Sequence, residues 1–326
     1  MTDCSAARKY DVTALGELLI DFTENGTSAQ GNPVLEANPG GAPCNVLAML
    51  TKLGHKTAFI GKVGKDAFGD QLEAALKEVG ISVKGLCRDE KIHTTLAFVH
   101  TKPDGDRDFS FYREPGADML LSEADLNDEM LSGSRIFHFG TLSMTHEGCR
   151  AATKAAVARA KSCGAVITFD PNLRAPLWNS LDEAKEQILW GMGQCDVLKI
   201  SDNEITWLTG LEDYDEGAAW IRGHFPQIKL LLVSMGKDGS RAYYGDLRVE
   251  EPSILQPNTI ETTGAGDTFC ACILHDILVN GLENRDEQGL KSMLRFANAA
   301  ASIITTRKGA LRVMPEPEEV RRLAFG

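Results

Sequence analysis

The sequence predicts an α/β fold: a mostly parallel sheet with helices on both faces and a small β-sheet beside it. Three observations carry this. Short β-rich runs alternate with helical patterns along most of the chain, the signature of parallel strands joined by crossover helices. One stretch breaks the alternation: His93–His100 and Arg107–Arg113 read as two strands around the turn Lys102-Pro103-Asp104-Gly105-Asp106. The 326 residues contain no Pro-, Gly- or Ser-rich linker, no repeat and no low-complexity tract. At roughly 150 residues per domain the length suggests two units, yet the unbroken pattern predicts a single domain over 1–326.

The elements follow in chain order. Val12–Ile20 is the first strand, and a second β-rich excursion lies between Leu18 and Glu36. Segments 18–37 and 93–115 together would form a small sheet projecting from the main one. Gly40 and Gly41 lead into a helix through Val46–Leu53, and Thr57–Ile60 is the next strand. Asp66–Val79 is a clear helix: Asp66 can cap it, Phe68, Leu72, Ala75, Leu76 and Val79 give a 3–4 spacing, and Gly80 ends it. Further strands are Ile136–Phe139, Ala165–Phe169, Val197–Ile200 and Leu230–Ser234. Further helices are Glu147–Ser162, Leu181–Gly191, Asp215–Phe225, Thr268–Val279 and Leu290–Thr305.

Composition narrows the function. Thirty-four Lys plus Arg against 46 Asp plus Glu leave a net charge of −12. That excludes a broad basic surface for nucleic acid, which needs clustered cations. It does not exclude a small anion pocket lined by backbone amides. No run reaches the ~20 apolar residues of a membrane span, and Met1–Tyr10 holds no apolar core of signal-peptide length. The cysteines at 4, 44, 87, 149, 163, 195, 270 and 272 form no CxxC pair. They read mostly as buried thiols in a reducing cytoplasm. The scattered histidines offer no metal motif.

Two Gly-rich segments hold the candidate chemistry. Gly61-Lys62-Val63 and Gly236-Lys237-Asp238 both fail the GxxxxGK[ST] pattern. Gly264-Ala265-Gly266-Asp267-Thr268-Phe269 has Phe where a dinucleotide fingerprint needs its third glycine. Yet this segment runs directly into a helix, so its amides can form an anion hole. Asp267 is either a helix-capping acid or a catalytic one. The earlier Pro39-Gly40-Gly41-Ala42-Pro43-Cys44-Asn45 likewise opens a helix. There Asn45 is either a cap or a ligand-binding amide. Asp21, at the end of the first strand, stands where open α/β sheets bind ligands.

With these two segments in order, the chain resembles the ribokinase-like carbohydrate kinases, the PfkB family, from Leu15 to about Pro315. Gly61-Lys62-Val63-Gly64-Lys65-Asp66 and Thr306-Arg307-Lys308-Gly309-Ala310 add to the match. Within that family it resembles the fructokinases, through Gly16-Glu17-Leu18-Leu19-Ile20-Asp21-Phe22, through Phe111-Tyr112-Arg113-Glu114-Pro115-Gly116-Ala117-Asp118-Met119 and through Asp170-Pro171-Asn172-Leu173-Arg174-Ala175-Pro176-Leu177-Trp178. The resemblance implies a ribokinase-like three-layer fold with a β-sheet lid. It implies transfer of the ATP γ-phosphoryl group to the 6-hydroxyl of D-fructose, with Mg²⁺ and a dependence on K⁺ left open. A homodimer through the lid is a further implication.

The resemblance also implies site residues. Asp267 would be the catalytic base and Gly264, Ala265 and Gly266 the anion hole. Asp21, Gly41, Asn45, Arg113 and Arg174 would bind the sugar. Ser201, Glu204, Ser234, Gly236 and Asn298 would lie by the nucleotide. Glu261, Thr263, Ile304, Arg307 and Gly309 would form the monovalent-cation loops. Two positions depart from the family pattern: Ser201 replaces the Asn of Asn-x-x-Glu, and Glu261 replaces an Asp. Phe111 and Phe109 read either as lid packing or as a sugar-facing wall. The rival readings are 2-keto-3-deoxygluconate kinase or another ribokinase-like sugar kinase. A non-catalytic sugar- or nucleotide-binding relative is more remote.

Overall fold

The computed structural model describes residues 8–101 and 107–326, with backbone alone for residues 100, 101 and 107–109. The turn Lys102–Asp106, the Phe109 side chain, Cys4 and residues 1–7 lie outside the described residues. In chain order the elements are β1 Tyr10–Leu15, β2 Leu19–Thr27, β3 Pro33–Gly40, α1 Ala42–Lys52, β4 Thr57–Gly64, α2 Ala67–Glu78, β5 Ser82–Asp89, β6 Leu96–Thr101 and β7 Arg107–Tyr112. Then come α3 Asp128–Ser132, β8 Ser134–Gly140, α4 Glu147–Ser162, β9 Val166–Asp170, α5 Leu181–Met192, β10 Val197–Ser201, α6 Asp202–Thr209 and α7 Tyr214–His224. The chain closes with β11 Leu230–Ser234, β12 Ser240–Tyr244, β13 Leu247–Glu251, α8 Ala265–Asn280, α9 Glu287–Ile304 and α10 Pro317–Phe325.

A nine-stranded sheet runs in the order β13-β12-β11-β10-β9-β8-β1-β4-β5. Its strands are parallel except β12 and β13, which return antiparallel at one edge. Strands buried on both faces read as continuous apolar runs, and their residues divide with period two. Leu230 and Leu232 pack on one face, in a core with α1, α2, α8, α9 and α10. Leu231 and Val233 pack on the other, in a core with α3 to α7. The result is a three-layer helix–sheet–helix arrangement. A second sheet, β3-β2-β6-β7, stands apart.

The predicted strand Val12–Ile20 is corrected to two strands in two sheets. β1 ends at Leu15, the chain turns at Gly16–Leu18, and β2 begins the small sheet at Leu19. Gly16 is the hinge: a Cβ there would meet the Pro43 ring. Both halves of the small sheet lie where the sequence placed them. Asp66 caps α2, accepting from the Gly69 amide at 2.8 Å. α1 starts four residues earlier than expected, with Pro43 in its first turn. Asn45 therefore lies inside the helix and is no cap. β5, β12, β13, α3, α6 and α10 were not foreseen. β5 and β13 are sheet edges, where polar residues dilute the apolar pattern. Six cysteines are free thiols, five of them buried. Cys163 is disulfide-bonded, outside the thiol reading that covers most of the cysteines.

Candidate active site

Parallel strands bring their C-terminal ends to one side of the sheet. Gly140 pairs with Asp170, and Ser201 with Ser234. The loops after these strands meet the starts of α1 and α8 there. Two glycines make this possible. Gly41 precedes α1 at φ 123°, where a Cβ would strike the Glu17 carbonyl. Gly264 precedes α8 at φ 75°, and a Cβ there would lie 2.7 Å from that of Ala310. Both conformations belong to the left-handed region that favours glycine.

A polar cavity of about 360 Å³ opens at this point, walled by Asp21, Gly41, Asn45, Arg174, Gly264, Gly266 and Asp267. Asp267 sits in the first turn of α8. Its Oδ2 accepts a 2.8 Å hydrogen bond from Asn45 Nδ2. The Asn45 Oδ1 is buried with no partner. An orphaned buried acceptor is costly, and this one belongs to a side chain that lines the cavity beside the carboxylate. Burial pushes the Asp267 carboxyl up, while the Asn45 amide, Lys199 and Arg174 hold it back. Arg174 is steadied by Asn172 Oδ1 at 2.7 Å.

A second cavity of about 290 Å³ lies on the other side of the α8 start. Ser234, Gly236 and Asn298 line it, with an apolar wall that includes Ile254, Leu255 and Phe269. Asn298 donates to the carbonyls of Glu251 and Pro252 at 3.1 and 3.2 Å and accepts from Ser240 Oγ at 2.9 Å. The two cavities share Thr262 and Gly266. The α8 N-terminus, with its partial positive charge, therefore lies between a polar and an apolar compartment.

Other predicted residues fall elsewhere. Arg113 is 4% exposed and does not line the polar cavity. It donates to Asp118 at 2.8 Å, Thr145 Oγ1 at 2.8 Å and the Leu142 carbonyl at 3.0 Å. Ser201 caps α6, and its amide and hydroxyl both donate to Glu204 Oε2 at 2.9 Å. Glu204 Oε1 accepts from the Leu173 amide at 2.7 Å, which fixes the loop carrying Arg174. Glu261, Thr263 and Gly309 share a pocket of about 20 Å³ with Asp21, and the Gly309 amide donates to Glu261 at 2.7 Å. Ile304 is buried in the core instead. Arg307 turns to the Val313 and Met314 carbonyls and to Glu319.

Sequence reasoning missed two cavity residues. Lys199 is buried, and its Nζ lies 2.9 Å from Asp170. Asp170 and Glu204 raise the lysine against the opposing effect of burial, so it stays a cation. A Cβ on Gly266 would be 3.4 Å from this ammonium. The fixed positive charge is thus set under the α8 start. Its signal was visible: a lone lysine in the apolar strand Val197-Leu198-Lys199-Ile200. Glu17 lines the cavity and accepts from the Ala42 amide at 2.8 Å. Burial pushes it up to about 7.

The fold and the paired cavities define a phosphotransferase of the sugar-kinase class, and the comparisons agree. The chain matches the pfkB family of carbohydrate kinases over residues 9–317, and it belongs to that family. Among curated relatives, Fructokinase-2 of Solanum lycopersicum is 42% identical over 97% of this chain and 96% of its own length. Fructokinase of Xylella fastidiosa with bound ATP superposes with a TM-score of 0.86 at 30% identity, covering 96% of this chain and 97% of that one. A fructokinase double mutant of Vibrio cholerae O395, bound to fructose, ADP and potassium ion, superposes at 0.87 with 27% identity, covering 98% and 99%.

Proposed function

We propose that this protein is an ATP-dependent fructokinase that phosphorylates the 6-hydroxyl of D-fructose. One observation carries the reading. A carboxylate in a polar cavity, accepting from the Asn45 side-chain amide, adjoins an apolar slot across a helix N-terminus. Phosphoryl transfer needs alignment and charge stabilisation more than covalent chemistry. The slot suits a purine base, the α8 amides suit phosphate oxygens, and the polar cavity suits a monosaccharide.

The steps follow from the residues. Asn45 and Asp21, both on the cavity wall, orient sugar hydroxyls. Asp267 accepts the proton of the attacking hydroxyl as its oxygen bonds to the γ-phosphorus, while the bond from that phosphorus to the bridging oxygen breaks and ADP leaves with the electron pair. The Gly266 amide with Lys199 stabilises charge on the transferring group, whereas the Ala265 amide donates to the Thr262 carbonyl at 3.2 Å. Arg174 clamps the sugar with a planar, permanent charge. Among the described residues no cluster of three His, Cys, Asp or Glu can hold a metal. Asp170 is spent on Lys199, and Glu204 on Ser201 and Leu173. This donor set fits Mg²⁺ carried by the nucleotide and reached through water. The cation neutralises phosphate charge when bound. The Glu261–Gly309 pocket is the place for a monovalent ion.

The small sheet is read as a lid, within a single kinase domain. Val34, Leu35 and the 66%-exposed Tyr112 support a homodimer through it. No helix among the described residues is long and apolar enough to cross a membrane, and the cytoplasmic placement belongs to the same proposal. A coupled ADP-release assay over fructose, glucose, ribose, 2-keto-3-deoxygluconate and a nucleoside tests the function. Fructose should give the highest kcat/KM. Preference for another acceptor refutes the substrate, and no turnover with any refutes the kinase.

A further inference from the structure

One buried acid on the polar wall takes no part in the steps above. Glu17 lies in the Gly16–Leu18 turn that joins the two sheets, is 4% exposed and lines the polar cavity. We propose that Glu17 is a positioning residue for phosphoryl transfer: it anchors the start of α1 and, through Asn45, sets the place of Asp267. The proposal deepens the sugar-kinase reading and rests on it in taking Asp267 as the base.

The construction of the α1 start explains why an acid stands there. First-turn amides of a helix lack intrahelical partners, and a side chain at the N-cap usually accepts from one. α2, α5, α6, α7 and α9 are capped in this way by Asp66, Ser180, Ser201, Asp213 and Asp286. Gly41 precedes α1 and has no side chain to offer. A Cβ at Gly41 would strike the Glu17 carbonyl, so a larger residue does not fit. Glu17 fills the role from 25 positions away: its Oε1 accepts from the Ala42 amide at 2.8 Å. The turn between the sheets and the start of the helix are thus packed backbone to backbone and tied by one carboxyl group.

The tie continues to the reacting side. The Asn45 amide bonds to the Gly41 carbonyl at 3.0 Å, which places Asn45 in the same first turn. Its side chain donates to Asp267 Oδ2 at 2.8 Å. A shift of the α1 start therefore moves the donor that holds the base, and a misplacement of about 1 Å can cost ~10²-fold in rate. The charge on Glu17 bears on this, because an ionised acceptor at a helix N-terminus holds an amide more firmly than a neutral one. Burial pushes the Glu17 carboxyl up to about 7, against the opposing effect of its own amide and that of Ala42. The bond thus changes strength near neutral pH. Arg113, Asp118 and Cys44 are the charged and titratable groups beside it, and His138, Asp170 and Asp267 border a small cavity with it. Asp21, Arg174 and Lys199 share the polar cavity. Substitutions at Glu17 leave all of these in place.

Turnover of fructose by the full-length enzyme across roughly pH 5.5 to 9 tests this, with Glu17→Gln and Glu17→Ala beside the wild type. Gln keeps an uncharged acceptor for the Ala42 amide, and Ala removes it. Wild-type kcat should rise ~5-fold through about pH 7 as Glu17 ionises. Glu17→Gln should lack that step and keep only the steeper acid fall that belongs to Asp267. Glu17→Ala should lose ~10–100-fold in kcat at every pH, with KM for ATP unchanged. A merely structural role would lower the denaturation midpoint and leave the wild-type shape of the profile. A step near pH 7 that survives in Glu17→Gln overturns the proposal and assigns the step to Asp170 or Asp267. Equal kcat in Gln and Ala overturns it as well, and if Glu17→Ala does not fold, the Gln profile decides alone. Hydrogen exchange reads the tie without turnover: at about pH 8 the Ala42 amide should exchange ~5-fold faster in Glu17→Gln than in the wild type. Unaltered exchange refutes the tie, whereas a wild-type protein that turns over no sugar refutes the kinase reading.

Discussion

The polar and apolar cavities meet at Gly266 and Thr262 but are built in opposite ways. The polar one is assembled from distant segments: Asp21 from β2, Asn45 from α1, Arg174 from the loop after β9, Lys199 from β10 and Asp267 from α8. The apolar one comes entirely from the last third of the chain, between Ser234 and Thr305. Directed hydrogen bonds require convergence from many elements, because each hydroxyl needs a partner at its own angle. A flat base needs mainly apolar walls, which neighbouring loops and helices can supply. Specificity for the acceptor therefore depends on tertiary placement, and affinity for the donor on local shape.

The largest test of this division is Asp267→Asn. The substitution keeps the contact with Asn45 but removes the base, so kcat should fall ~10²–10⁴-fold with Tm unchanged. Near-wild-type turnover would mean that Asp267 is not the base. The pH profile adds to this. Burial raises the carboxyl above its usual 3.8, and only the ionised form takes a proton. Activity should therefore fall tenfold per unit as pH drops through a value above 3.8. Asp170 and Glu17, pushed up by burial to about 6 and about 7, border the same site. A limb that survives in Asp267→Asn belongs to them.

Two arginines give the next test, because the sequence paired them and the structure separates them. Arg113 and Asp118 form a buried ion pair at 2.7 Å, each side chain 3% exposed. Arg113→Ala would strand Asp118 and should cost ~3–5 kcal/mol of stability, read as a lower denaturation midpoint. Arg174 lines the polar cavity. Arg174→Ala should leave the midpoint unchanged and raise KM for the sugar ~10-fold, the size of one charged hydrogen bond. The reverse pattern would place Arg113 at the sugar.

The contrast explains what the sequence reveals. The layered fold is legible because strands buried on both faces must be continuously apolar and helices must repeat at 3–4 spacing. Asp267 and Asn45 are legible because each follows a glycine turn that opens a helix. Their contact, across 222 positions of sequence, is not, since nothing local encodes it. Arg113 shows the limit most clearly. Its chemistry fits a surface clamp as well as a buried tie, and only Asp118 reaching back five residues decides between them. Lys199 carries a local signal, a charge within an apolar strand, but its partner Asp170 comes from the neighbouring strand.

The smallest expected effect bears on the apolar side. Leu255 lines the apolar cavity and is 70% exposed. A base entering the slot would cover part of that side chain, and burying a fraction of a leucine is worth ~1 kcal/mol. Leu255→Ala should therefore raise KM for ATP ~5-fold. An exposed side chain contributes little to folding, so the denaturation midpoint should not move. KM for the sugar should also stay fixed, because Leu255 does not line the polar cavity. If both KM values rose together, the two cavities would be acting as one closing unit, and the division drawn from their construction would not hold in solution.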